Sequence, residues 1–306
     1  MTQAPNSFGE TQSGFRLALP ADYRATVALR MWGRDPGSLL ERVQGNCLVK
    51  SLVHHGEGGT IRIELVKDAA LCRVAGTLAT TPEGLRFAHG AALKILGLQS
   101  DPASFERAIR SDPELSPLIS GREGLRIPQT ATVFEAMVWA IAGQQVNLAF
   151  AYRLRRTLIE LAGRPVNGEL RAHPTPEAIA ALDCGDLTKR QFSRSKAAYL
   201  IDTSRTIASG ALDVESLPSR PASEVHQLLL AIRGIGEWTA NYVMMRGCNF
   251  ADCVPAGDTG LSSGLERFLG LDHRPDAKET TELMKRFAPH RSLATFHLWM
   301  QKGDPA

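Results

Sequence analysis

Residues 228–240 read Leu228-Leu229-Leu230-Ala231-Ile232-Arg233-Gly234-Ile235-Gly236-Glu237-Trp238-Thr239-Ala240. An apolar helical run stops at a glycine, one apolar residue follows, and a second glycine opens a new helical run. The spacing predicts a helix, a tight turn and a helix over about 225–246. Two glycines around one apolar side chain let the backbone reverse sharply. They also leave free N–H groups at the start of the second helix, where the helix dipole favours an anion. A phosphate can sit there with no charged side chain to hold it.

The string fits the helix-hairpin-helix signature and marks Gly234, Ile235, Gly236 and Thr239 as residues for contact with nucleic acid. A helix stopped by glycine and followed by another is the plainer alternative. Downstream comes Val254-Pro255-Ala256-Gly257-Asp258-Thr259-Gly260-Leu261, a Gly/Pro loop (254–258) ending on a carboxylate. Asp258 is placed to cap a helix beginning at Thr259, and a carboxylate fixed in that way can also serve chemistry. Trp238 and Tyr242 lie four apart and share a helix face, either as core or as a surface for stacking.

From about Asp101 the pattern is helical, with no convincing strand. Phe134, Val138 and Ile141, then Leu154, Leu158 and Leu161, recur at helical spacing and predict buried faces. Between them Gly143-Gln144-Gln145-Val146-Asn147 is a polar break. Upstream, Leu48–Val53, Thr60–Val66 and Leu71–Leu78 read as strands, with a turn at Gly56-Glu57-Gly58-Gly59; Asp22–Trp32 and Glu83–Leu96 read as helices. The expected class is α+β: a flexible tail over 1–13, a small domain over 14–100 with an antiparallel sheet and helices, and an all-helical domain over 101–306. His54-His55 beside the turn lacks a third metal ligand nearby in the sequence, so an exposed hairpin is expected there.

The loop, the hairpin, Arg246-Gly247, Arg291-Ser292 and His297-Leu298-Trp299 together resemble the helix-hairpin-helix DNA glycosylases, and within them the bacterial DNA-3-methyladenine glycosylase II group. The likeness is weak in the N-terminal domain and strong after Gly124. It implies a monofunctional base-excision enzyme that flips alkylated purines of the 3-methyladenine type out of duplex DNA and hydrolyses the N-glycosidic bond. By the same resemblance Asp258 is the catalytic carboxylate, Trp238, Tyr242 and Trp299 surround the extruded base, and Gln144 and Gln145 face the duplex, with Gln145 at the wedge position. The group's own wedge is apolar, a departure here. Where lyase members carry a nucleophilic lysine this chain has Trp238, which argues against strand cleavage. No cofactor is expected to be required. A structural Na+ or K+ at the hairpin, held by main-chain carbonyls of Leu230, Ile232 and Ile235, is implied as an option. The alternatives are an oxidised-purine glycosylase/lyase and a non-catalytic protein that binds damaged DNA.

A chain of 306 residues, 43% apolar and 22% charged, has room for two cores. A net charge of +3 allows a polyanionic partner without demanding one. Five scattered cysteines suit reduced thiols and offer no iron–sulfur ligand set. With no apolar leader or span, a cytoplasmic monomer is expected, with double-stranded DNA as partner, no membrane and no obligate protein partner.

Overall fold

The computed structural model describes residues 13–301. Most of the predicted tail, 1–12, lies outside them, but Ser13 already pairs with Val74 in the sheet. The N-terminal part holds β1 (Ser13–Ala18), α1 (Ala25–Trp32), β2 (Glu41–Gln44), β3 (Cys47–His54), β4 (Glu57–Val66), β5 (Ala69–Gly76) and α2 (Pro82–Ile95). The five strands form an antiparallel sheet in the order β1-β5-β4-β3-β2. Its core is built from alternating inward residues such as Leu48, Leu52, Ile61, Ile63, Cys72 and Val74, closed by Ala88, Ala92 and Ile95 of α2.

Two expectations change here. The edge strands β1 and β2 join the three strands read from sequence. The turn between β3 and β4 is His55-Gly56 alone, both at positive φ (47 and 78), while Glu57, Gly58 and Gly59 already pair with His54, Val53 and Leu52. A side chain at Gly59 would overlap the Ala75 carbonyl, so glycine there serves close strand approach and not a turn.

The helical part comprises α3 (Ala103–Arg110), α4 (Val133–Gly143), α5 (Leu148–Ala162), α6 (Pro176–Ala180), α7 (Cys184–Thr188), α8 (Arg194–Ala208), α9 (Ala222–Leu230), α10 (Glu237–Arg246), α11 (Thr259–Leu269), α12 (Ala277–Met284) and α13 (Arg291–Met300). Two short strands interrupt it against expectation, β6 (Pro165–Asn167) and β7 (Leu170–Arg171), joined through a tight turn. The predicted apolar faces are buried: Phe134, Val138 and Ile141 of α4 meet Leu154 and Leu158 of α5, with Leu161 half-buried at the edge. Side-chain caps start the helices that matter for the site, at Thr132, Asn147, Ser193 and Asp258. No described helix is long and apolar enough to cross a membrane.

Where the two cores meet, four charged groups are sealed from water. Lys50 of β3 donates to Glu41 Oε2 at 3.0 Å and to Glu135 Oε1 at 2.8 Å. Arg155 of α5 grips Glu41 with two bonds, 2.7 and 3.0 Å, and reaches Glu135 at 3.3 Å. Burial alone would raise both carboxyl pKa values; the Arg155 and Lys50 charges outweigh it and hold them below the usual range.

Candidate active site

A cleft of about 1790 Å³ opens between α4–α5, the 230–237 turn and the loop before α11. The predicted hairpin forms one wall. Gly234 sits at φ 90, and a Cβ there would overlap the Tyr199 ring of α8, so both the backbone angle and the contact require glycine. Gly236 caps α10 without a side-chain cap bond, is exposed, and has open space around its Cα. The first N–H groups of α10 thus have no side-chain cap, the arrangement that can receive an anion.

Thr239 is differently placed from what its motif position suggested. It is 2% exposed, and its hydroxyl accepts from Gln144 Nε2 at 3.0 Å. The same Nε2 donates to the Gly234 carbonyl at 2.8 Å. Gln144 therefore ties the 143–147 break to the hairpin turn, while Gln145, exposed and at φ 52, is the one of the two that projects outward. Sequence reasoning gave no sign of this tie, because its ends are 90 and 95 residues apart. Ile235 is buried and its N–H donates to the Ile232 carbonyl at 3.0 Å. The main-chain carbonyl oxygens of Leu230, Ile232 and Ile235 are neutral ligands, and that of Ile232 already accepts the Ile235 N–H. Such a set suits a weakly held monovalent cation better than a divalent one, which favours carboxylates.

Asp258 lines the same cleft at the N-cap of α11. Its Oδ1 accepts the Leu261 N–H at 2.8 Å and the Trp299 indole N–H at 2.9 Å. Its Oδ2 accepts the Trp238 indole N–H at 3.3 Å. All three donors are uncharged, so the carboxylate is oriented without being neutralised. Gly260 makes this possible, since a Cβ there would come within 3.0 Å of Asp258 Oδ1 and 3.1 Å of Trp299 Cδ1.

The approach to Asp258 is braced from two sides. Asn241 of α10 accepts the Val254 N–H at 3.0 Å. Arg291 forms a two-pronged pair with Asp252, 2.6 and 2.7 Å, and Ser292 Oγ accepts the Cys253 N–H at 3.0 Å while donating to the Phe250 carbonyl at 2.7 Å. Arg291-Ser292 thus anchors the loop. His297 is fully buried against Phe105, and burial lowers its pKa to about 3, so it stays neutral and packs.

The three expected aromatics are brought together. Trp238 stacks on Tyr242 with centroids 5.4 Å apart at 28°, and Tyr242 lies 6.3 Å from Trp299. Burial, the largest influence, raises the Tyr242 phenol pKa, aided by Asp258 and opposed by Arg246. Sequence reasoning missed Trp139 and Tyr152, which pack 5.0 Å apart in the lining of the cleft, and gave no role to Arg246, which lies 5.9 Å from the Tyr242 ring centre. Arg246 is 5% exposed and its buried Nε has no hydrogen-bond partner among the described residues. Arg34, from the N-terminal part, lines the same cleft, so the small domain contributes to the site as well as to the scaffold.

A small sheet domain, a helical domain, and a hairpin with open amides beside an aromatic-walled carboxylate define the class of helix-hairpin-helix DNA glycosylases. Comparison with known proteins agrees: residues 138–290 match the family model described as HhH-GPD superfamily base excision DNA repair protein. The chain belongs to that family. It is 34% identical over 205 residues to a DNA-3-methyladenine glycosylase of Bacillus subtilis, covering 66% of this chain and 68% of the relative. It is 31% identical over 194 residues to DNA-3-methyladenine glycosylase 2 of Escherichia coli, covering 62% and 64%. The alignments thus span about two thirds of these relatives' length. The 3-methyladenine DNA glycosylase of Archaeoglobus fulgidus shares the fold, with a TM-score of 0.81 over 94% of this chain and 97% of that one, at 19% identity.

Proposed function

We propose that the protein is a monofunctional DNA glycosylase that releases alkylated purines from duplex DNA and leaves an abasic site. The observation that carries this reading is Asp258: a carboxylate held, among the described residues, by neutral N–H donors alone, with Trp238 and Trp299 as two of them, at the edge of a cleft large enough for a base. The names of the B. subtilis and E. coli relatives support the same substrate class.

In this mechanism the amides at Gly236 and the start of α10 hold a backbone phosphate. Gln145 enters the gap left by the flipped nucleotide, offsetting part of the few kcal/mol that unstacking costs. The base stacks among Trp238, Tyr242 and Trp299. As the C1′–N bond breaks, positive charge grows on the sugar and Asp258 stabilises it. Water adds to C1′ and gives its proton to solvent, while the pair of electrons from the broken bond leaves with the base. A cationic alkylpurine departs neutral, so no acid need protonate it. Because Arg246 already lies against Tyr242, attraction for a cationic base falls chiefly on the two indoles. The main-chain carbonyls of Leu230, Ile232 and Ile235 would hold a Na+ or K+, which would supply positive charge at the hairpin.

A lyase step needs a free amine. Trp238 occupies the position of the lyase lysine, and Lys196, the lysine among the residues lining the cleft, donates to the Ala142 carbonyl at 2.7 Å. The test is release of free 3-methyladenine from methylated duplex DNA by the wild type and by Asp258→Asn, followed by alkali. Release lost in the variant, with strands breaking only after alkali, is the expected result. Binding of DNA without release by either protein would favour a non-catalytic damage-binding protein.

A further inference from the structure

Away from the cleft, the β3–β4 hairpin tip and the start of α2 bring together a set of side chains that base excision does not use. Adjacent residues of a strand point to opposite faces, so two neighbouring histidines would ordinarily diverge. Here the strand ends at His54, which pairs with Glu57, and His55 begins a two-residue turn at φ 47. The left-handed backbone at His55 cancels the alternation, and the two imidazoles lie on the same side with ring centroids 4.1 Å apart. Asparagine or glycine is the usual residue for such a turn.

The geometry points to a binding site for a divalent transition-metal ion, Zn2+ by its donor set, formed by His54, His55 and Glu83. Glu83 lies in the first turn of α2, and its Oε1 is 3.5 Å from Nε2 of His54 and 3.5 Å from Nε2 of His55. These are long for hydrogen bonds. They are close to the separation of about 3.4 Å between ligands that bonds of about 2.1 Å impose around a tetrahedral ion. The three donor atoms all lie within 4.8 Å of one another, the one such group among the described residues. Glu83 thereby supplies the third ligand that is missing near His54-His55 in the sequence.

The site is held from behind and open in front. The His54 ring stacks on Phe87 with centroids 4.3 Å apart at 9°, and Phe87 stands one turn along α2 from Glu83, so one helix presents both ligand and platform. Arg164 of the helical part donates to the Gly56 carbonyl and fixes the turn. The side chains of His55 and Glu83 are 75% and 61% exposed, which leaves room for water as a further ligand. Two imidazoles and one carboxylate favour Zn2+, Ni2+ or Cu2+ over Mg2+ or Ca2+. Bound there, the ion clamps the hairpin tip to α2.

The test uses the full chain without a histidine tag, stripped with chelator, and with Cys184, the exposed cysteine, replaced by Ser throughout. Calorimetric titration with Zn2+ should show one site, with none for Mg2+, and Co2+ should give the absorption of a tetrahedral nitrogen–oxygen site. His55→Asn keeps a residue that suits the turn and should weaken Zn2+ binding by roughly a hundredfold; Glu83→Gln should weaken it by roughly tenfold. Zn2+ should raise the thermal midpoint of the wild type and not of His55→Asn, while release of 3-methyladenine is the same with and without the ion. No single-site binding to the wild type, or equal binding by both variants, overturns the proposal and leaves a surface contact between His54, His55 and Glu83. Neither result depends on whether the cleft excises bases.

Discussion

Two groups of carboxylates in this molecule stand in opposite electrostatic surroundings. Glu41 and Glu135, at the junction of the two cores, are buried and matched by Lys50 and Arg155 at 2.7–3.3 Å. Asp258, half-buried at the cleft, has donors as close but none of them charged. Full compensation at the junction leaves little field for anything else, and those charges are spent on joining the domains. At the cleft Asp258 is given direction by neutral donors and is not paired with a cation among the described residues, so its field is left for a substrate. What decides the role of an acidic residue here is the charge of its donors, more than its degree of burial.

The largest expected effect comes from removing that field. Asp258→Asn keeps an N-cap of equal quality, so folding and DNA affinity should be almost unchanged. Base release should fall by about a thousandfold, the rate equivalent of roughly 4 kcal/mol for a unit charge at about 4 Å in a medium of dielectric about 20. Single-turnover release and a thermal melt on the same sample check both halves. An equal loss of stability and rate would mean that Asp258 is only a cap. Lys50→Met should do the reverse. Leaving buried carboxylates short of a partner costs about 3 kcal/mol of stability, seen as a lower urea midpoint, while release per folded molecule stays near the wild-type value.

Acid should act on the scaffold through two buried histidines, His173 against Phe134 of α4 and His297 of α13. Burial, opposed by Glu135 nearby, lowers the His173 pKa to about 4, and burial lowers that of His297 to about 3. Both are depressed below the unfolded value, so their contribution is complete above about pH 6.5 and is lost as pH falls, because the unfolded chain takes up the protons first. Below about pH 4.5 Glu41 and Glu135, also depressed, add to the loss. The unfolding free energy from urea titrations should therefore decline from pH 6.5 downward by roughly 1 kcal/mol per pH unit for each histidine. His173→Gln should remove about half of that slope between pH 6.5 and 4.5.

The sequence showed the parts whose requirements are local. The hairpin was readable because glycine at φ 90 and an uncapped helix start are properties of neighbouring residues. Asp258 was readable for the same reason, as a cap at the end of a Gly/Pro loop. The strand β2 was not, being four residues long with Glu41, Arg42 and Gln44 among them, and its pairing with β3 overrides its own weak pattern. The turn at His55-Gly56 was displaced in the reading because a run of glycines signals a turn, whereas Gly59 answers to the carbonyl of a neighbouring strand. The junction charges and the Gln144 tie had no sequence signal, since their partners lie between 85 and 114 residues away, apart from Lys50–Glu41 and Arg155–Glu135, which are 9 and 20 residues apart.

The finest test of the contrast lies in the two indoles. Trp299 donates to Asp258 Oδ1 at 2.9 Å and Trp238 to Oδ2 at 3.3 Å, so the shorter bond should do more to aim the carboxylate. Trp299→Phe retains an aromatic ring for the base and deletes the N–H. Release at saturating DNA should drop about tenfold, about 1.4 kcal/mol on the barrier, with the half-saturating concentration little changed. Trp238→Phe should drop it only a few-fold. If the two variants are equal, or if both act on affinity and not on rate, the indoles serve as a stacking surface alone and Asp258 is aimed by its backbone cap. The same Leu261 N–H bond would then account for both its structural and its chemical role.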